Sequence, residues 1–301
     1  FKQKTAYEML RSLVGSEMCI RDSLSIISST YHECETFLNL FFYTTERGII
    51  TLFGLEFCRN QGLFWEPGVL QVFLNIFFFL DAFIFKKSRF MLVLAAVTIV
   101  TTYSTTGIAL LLLQSLVYIL KELKNNKWLV SLFIFFTIPV VMIFNLNVEE
   151  KFQGEKEFSF QKRLFDLTQP LFIAAEYPLT GIGLDLNQFQ GMREEFYFSS
   201  SNLQAFQNQI GVESKMTGTD KGSSNSIMFL FAAMGFPTAI LLIYMFFKQQ
   251  IINDNKWLLM IIMLISVMSE PLLLRPFFFI FIVSGFVQFF YKIISHKQEL
   301  S

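Results

Sequence analysis

Four ionisable residues stand at the edges of long apolar runs: Arg59, Glu66, Glu270 and Arg275. Charge held near hydrocarbon is costly, so such residues default to functional roles. Arginine brings permanent charge and a planar fork of donors, and a carboxylate can take or give up a proton. Together they suit charge neutralisation and acid–base chemistry at a membrane surface. Glu270 and Arg275 also flank a tight turn, EPLLLRP, where pairing with each other would merely lock two helix ends. Arg59 and Glu66 bracket GLFWEPG beside an apolar run. A fifth residue, Arg163, lies in KRLFDLTQPLFIAAE, which reads as an amphipathic helix ending in a Pro/Gly turn, a place where an arginine can simply be solvated. Among neutral polar residues, Ser104 and Thr105 interrupt an apolar stretch, and Asn225 precedes another, where it also reads as a helix cap.

The elements that must position these residues follow from hydropathy. Apolar residues make up 53% of the 301, with 39 Phe, beyond the usual soluble mixture. The runs are long enough to span hydrocarbon, which predicts an all-α fold: a polytopic transmembrane helical bundle with broken helix pairs and one large external loop. Residues 24–67 read as an external or interfacial segment. Residues 68–146 carry transmembrane segments: Gly68 to Phe85, a stretch from Phe90 to Leu120 broken midway by TTYSTTG, and Trp128 to Leu146. Residues 147–225 form a large periplasmic loop with eleven acidic residues against seven Lys and Arg. Residues 226–301 return to transmembrane segments, Ser226 to Phe247 and the pair Trp257 to Ser269 and Phe277 to Phe290, and end in a basic tail. Lys and Arg clusters at 86–89, 121–127, 248–256 and 292–297 are placed in the cytoplasm by the positive-inside rule. Arg59, Glu66, the Ser104 to Gly107 tip, Arg163, Asn225, Glu270 and Arg275 then share the outer side.

Other chemistries find little footing. Twenty-four basic residues balance twenty-four acidic ones, so nothing favours nucleic acid as a partner. Cys19, Cys34 and Cys58 lack metal-ligand or disulfide-framework spacing, and His32 and His296 are far apart. The GxG at Gly181 and Gly183 reads as a geometric turn rather than a phosphate cradle. Residues 11–23, RSLVGSEMCIRDS, resemble translated adapter read-through, so residues 1–23 are expected to be non-native, with upstream transmembrane helices missing from the chain.

Four blocks occur in a telling order: Arg59 with GLFWEPG, the TTYSTTG tip, Arg163 followed by YPLTGIGLDLNQF, and GSSNSIMFLFAAMGFP. From about residue 50 onward the chain resembles the O-antigen polymerase and ligase superfamily. The resemblance implies a multi-pass enzyme of the bacterial inner membrane. It would be a glycosyltransferase joining undecaprenyl-diphosphate-linked oligosaccharide repeat units into O-antigen, capsule or exopolysaccharide at the outer face. It implies Arg163 facing the lipid diphosphate; Arg59, Ser104, Thr105 and Asn225, together with the charged Glu270 and Arg275, are expected as further substrate-binding positions. A chain-length regulator and membrane lipid are the implied partners. Ligases of the superfamily carry a histidine just before the asparagine-containing block, whereas here Ser224 precedes Asn225. That departure favours the polymerase branch and leaves Glu66 as the candidate to activate the acceptor hydroxyl. No DxD-like metal motif stands out, so neither metal nor cofactor is expected. The competing readings are ligase-type transfer to a lipid or protein acceptor, and a transporter or flippase of polysaccharide precursors, which would also show broken helices and buried charge.

Overall fold

A computed structural model of the chain describes residues 49–52, 55–64, 66–123, 127–153, 157–199 and 223–299. The adapter-like stretch, Cys19, His32 and Cys34 lie outside these, as does 200–222 of the large hydrophilic segment. The described chain is helical apart from one antiparallel pair, β1 (Ile49–Leu52) and β2 (Leu55–Cys58), with Ile49 opposite Cys58. The β-branched Ile49, Ile50 and Thr51 favour that extended form, a local departure from the all-helical expectation.

The apolar runs are helical as predicted, and two further described helices lie in the hydrophilic segment. In chain order the helices are α1 (Pro67–Phe79, continued by a wide π-type turn Leu80–Phe85), α2 (Arg89–Thr101), α3 (Thr105–Tyr118), α4 (Lys127–Gln153), α5 (Glu157–Glu176), α6 (Leu186–Ser199), α7 (Ser226–Phe247), α8 (Lys256–Ser269) and α9 (Pro276–Glu299). Pro67 opens α1 at the first helical position, where its missing N–H costs nothing. The two broken pairs, α2 with α3 and α8 with α9, appear as expected. Two described helices, Pro67–Phe85 and Ser226–Phe247, are long and apolar enough to cross a membrane. The hydrophilic segment 147–225 carries α5 and α6, so much of what reads as loop is helical.

The chain divides into two compact units, residues 1–149 with 254–263, and 150–253 with 264–301. In the first, α1 packs against α2 and α3. Polar side chains join α1 to α3 inside the apolar core: Asn75 Nδ2 donates to the Gly107 carbonyl (3.3 Å), and Gln114 Nε2 donates to Asn75 Oδ1 (2.8 Å). Such bonds hold helices together where lipid removes the hydrophobic drive for association. Lys121 also hydrogen-bonds Asn255, so two of the basic turns expected on one membrane face meet.

In the second unit, α7 packs against α5 and α9. The Phe-rich stretch of α9 is divided: Phe278 and Phe281 are buried, while Phe279, Phe289 and Phe290 face outward. Helix α7 is broken by Gly235, whose φ of 73° and ψ of 169° leave the helical region, and Pro237 follows. A proline at 237 cannot donate to the Ala233 carbonyl, which a helix would require. The turn after α5 repairs the break. Gly183 N donates to Ala233 O (2.8 Å), Ile182 N to Ala232 O (3.0 Å), and Phe236 N to Pro178 O (2.8 Å). Gly181 and Gly235 permit this backbone-to-backbone approach. A Cβ on Gly181 would lie 2.4 Å from the Ala233 carbonyl carbon, and one on Gly235 2.6 Å from that of Leu179. Ile173, Ile182, Phe189 and Ala232 form the apolar cluster beneath. The Gly181–Gly183 turn is thus geometric.

Gly181→Ala and Gly235→Ala should each lower the thermal midpoint in detergent. The left-handed backbone alone costs a side chain about 1–2 kcal/mol, before any clash with fixed backbone. Gly191→Ala is the control, because it lies in α6 with nothing within 4 Å of an added Cβ. That change should leave the midpoint level or raise it. Equal midpoints for all three would refute the repair by backbone contact.

Candidate functional site

The first unit gathers polar groups around the break between α2 and α3. Tyr103 takes a positive φ of 48°, and Ser104 caps α3 by accepting from Gly107 N at 3.4 Å. Such a break exposes carbonyls, and each of three consecutive ones finds a donor. Thr101 O accepts from Asn60 N (3.1 Å), Thr102 O from Arg59 Nε (3.0 Å), and Tyr103 O from Asn147 Nδ2 (2.7 Å). Thr105 Oγ1 donates to Asn147 Oδ1 at 2.7 Å. Arg59, Ser104 and Thr105, singled out separately in the sequence, therefore come together. Arg59 has a structural task there, since it completes a broken helix. Glu66 sits at the cap position of α1, its carbonyl accepting from Val69 N (3.2 Å) and Leu70 N (3.4 Å).

The second unit is organised by the GSSNS block before α7. Asn225 Oδ1 accepts from Ile227 N and Met228 N, both at 3.1 Å, the expected cap. Ser224 donates to Asp166 Oδ2 through its backbone N (2.9 Å) and its hydroxyl (2.7 Å), and Ser223 Oγ donates to the Asp166 carbonyl at 3.4 Å. Ser226 Oγ donates to the Glu270 carbonyl (2.8 Å) and accepts from Leu273 N (3.3 Å), which pins the turn between α8 and α9. Ser223 and Ser224 thus anchor α5 on one side, Ser226 holds the Glu270 turn on the other, and Asn225 between them caps α7.

The consequence is an ion pair between residues remote in sequence. Arg163 Nη2 stands 3.7 Å from Glu270 Oε1, with the Arg163 side chain 39% exposed and that of Glu270 5% exposed. The separation exceeds a hydrogen bond, so the guanidinium is held by charge while much of it stays open. Glu270 thus meets Arg163, a partner far along the chain from its own tight turn. Arg275 is exposed at the start of α9, its carbonyl accepting from Phe278 N (3.0 Å) and Phe279 N (2.9 Å).

Beside this pair lies a network that sequence reasoning missed. Asp166 is fully buried and meets Arg193 Nη2 at 2.9 Å, itself nearly buried. Arg193 Nε donates to Gln169 Oε1 (2.7 Å), Gln169 Nε2 donates back to Arg193 O (2.8 Å), and the guanidinium lies over the Phe165 and Phe189 rings. The available signal was Asp166 and Gln169 three apart on one face of an otherwise apolar helical stretch. Asn147, the first residue after the apolar run Trp128 to Leu146, was likewise missed.

The stretch from the start of α2 to late in α7, residues 90–243, matches the family described as O-Antigen ligase. The chain belongs to that family. Its helical membrane architecture agrees, and membership makes it a membrane enzyme of glycosyl transfer in polysaccharide biosynthesis, acting on lipid-linked oligosaccharide. Neither the curated proteins nor the solved structures yield a match. The O-antigen ligase match spans Ser104, Thr105, Arg163, Asp166, Arg193, Ser224 and Asn225, while Arg59, Glu66, Glu270 and Arg275 lie outside it. Among the described residues, no group of three or more His, Cys, Asp or Glu is arranged to hold a metal ion.

Proposed function

We propose that the chain polymerises lipid-linked repeat units into surface polysaccharide at the outer face of the bacterial inner membrane, as a multi-pass protein. The carrying observation is the half-open Arg163 guanidinium beside the buried Glu270 carboxylate. A glycan on undecaprenyl diphosphate is the donor. The bond from its anomeric carbon to the diphosphate oxygen breaks, and the electron pair leaves with the diphosphate. The acceptor's hydroxyl oxygen bonds to that carbon, and its proton passes to a carboxylate. Arg163 offsets the negative charge gathering on the leaving group, by a planar fork that matches phosphate oxygens. Glu66 is one carboxylate proposed for the proton. Glu270 is favoured over it by a specific contact, since it already stands beside Arg163 and would be released from that pair when phosphate takes its place.

Ser224 supports polymerase over ligase. Its hydroxyl is given to Asp166, so the position before Asn225 holds structure together and offers no base. Sidedness rests on the basic turns, two of which meet through Lys121 and Asn255.

Purified protein in vesicles, given lipid-linked repeat units as its only sugar substrate and EDTA in the buffer, should produce a ladder of lengthening products. Transfer that appears only when a separate lipid or protein acceptor is added would establish the ligase reading instead. Loss of activity in EDTA that magnesium or manganese restores would end the metal-independent mechanism.

A further inference from the structure

The turn between α5 and α6 belongs to the hydrophilic segment by sequence, yet it is bonded to α7 well below that helix's cap. Seven residues separate Asn225 from Ala232, about 10 Å at 1.5 Å per residue. From the other end, the ten helical residues from Pro237 to Phe247 rise about 15 Å, and the four across the break from Ala233 add at most about 14 Å even if fully extended. A hydrocarbon layer is roughly 30 Å thick, so with Phe247 and Lys248 at one boundary Ala233 remains inside it, and any tilt takes it deeper. The bonds from Ile182 N, Gly183 N and Phe236 N hold the turn at that level.

The turn's composition fits that depth. From Tyr177 to Leu184, YPLTGIGL carries no charge, and Glu176 and Asp185 bracket it. Leu179 is 74% exposed and Leu184 47%, exposures that would be costly in water and are favourable against lipid. Non-helical backbone at membrane depth needs its polar groups met by protein. Here Gly181 N donates to Tyr177 O (3.0 Å), and the bonds to α7 meet others.

We propose that Tyr177–Leu184 is a re-entrant element inserted into the outer half of the hydrocarbon layer, where Leu179 and Leu184 contact the acyl chains of bilayer phospholipid. Helix α5 then descends along α7, from Asp166 beside Ser224 to Gly181 beside Ala233. That leaves Arg163 and Glu270 near the level of Ser226, the height at which the phosphates of a lipid substrate lie.

The insertion rests on α7 crossing the membrane and needs no substrate, so its test is separate from that of polymerase chemistry. In a full chain with Cys19, Cys34 and Cys58 changed to Ser, Leu179→Cys and, independently, Leu184→Cys carry a nitroxide label in phosphatidylcholine vesicles. At both sites, collisions with dissolved oxygen should outnumber those with a water-soluble nickel chelate. Nickel collisions in excess would place the turn in water and overturn the proposal. Low collision rates for both reagents would mean that protein covers the turn, and would overturn it equally.

Discussion

Cells whose only copy of the gene carries Arg163→Ala should accumulate single lipid-linked repeat units and lack long surface chains, with the protein present in the membrane at normal levels. A charge-assisted contact made mainly in the transition state is worth roughly 2–4 kcal/mol, about thirty- to a thousand-fold in rate. Arg163→Lys keeps the charge and loses the fork, so it should fall between wild type and Ala. Exposure makes the experiment clean: with 39% of the side chain open, its removal leaves no large cavity. Glu270→Gln and Glu66→Gln in the same strain locate the proton acceptor, and the contact with Arg163 predicts the larger loss at Glu270. Normal chain lengths with Arg163→Ala would remove that residue from the mechanism.

The largest stability effect is expected at Asp166. Asp166→Leu strands the Arg193 guanidinium, nearly buried and without its carboxylate, and removing one partner of a buried pair costs roughly 3–5 kcal/mol. It also deprives the Ser224 N–H and hydroxyl of their acceptor. The thermal midpoint in detergent should drop sharply, or the protein should vanish from the membrane. Adding Arg193→Met should recover part of the loss, because an apolar pair of similar volume avoids the uncompensated charge. A midpoint unchanged by Asp166→Leu would mean that the pair does not hold α5 to α6. A double variant no better than the single would assign the loss to Ser224 and to the packing of Arg193 on Phe165 and Phe189.

Hydropathy alone determined that this is a helical membrane protein, where its apolar helices lie and where two of them break. The physical reason is that a lipid environment demands internally satisfied backbone, which leaves the helix as the form for an apolar run. Local chemistry likewise marked Asn225 as a cap and Gly181–Gly183 as a turn, because a cap and a left-handed turn depend on a few adjacent residues. What the sequence could not reveal is which polar groups meet across long separations. The donors to the carbonyls of the α2–α3 break come from residues 59, 60 and 147. Glu270 is met by Arg163 from a helix far away in sequence, and the buried Asp166 is answered by Arg193. Pairings of this kind follow from how helices pack, and no spacing encodes them. The break in α7 belongs to the second kind: Ser226 to Phe247 reads as one uninterrupted spanning segment, and the fold shows both the departure at Gly235 and the turn that repairs it.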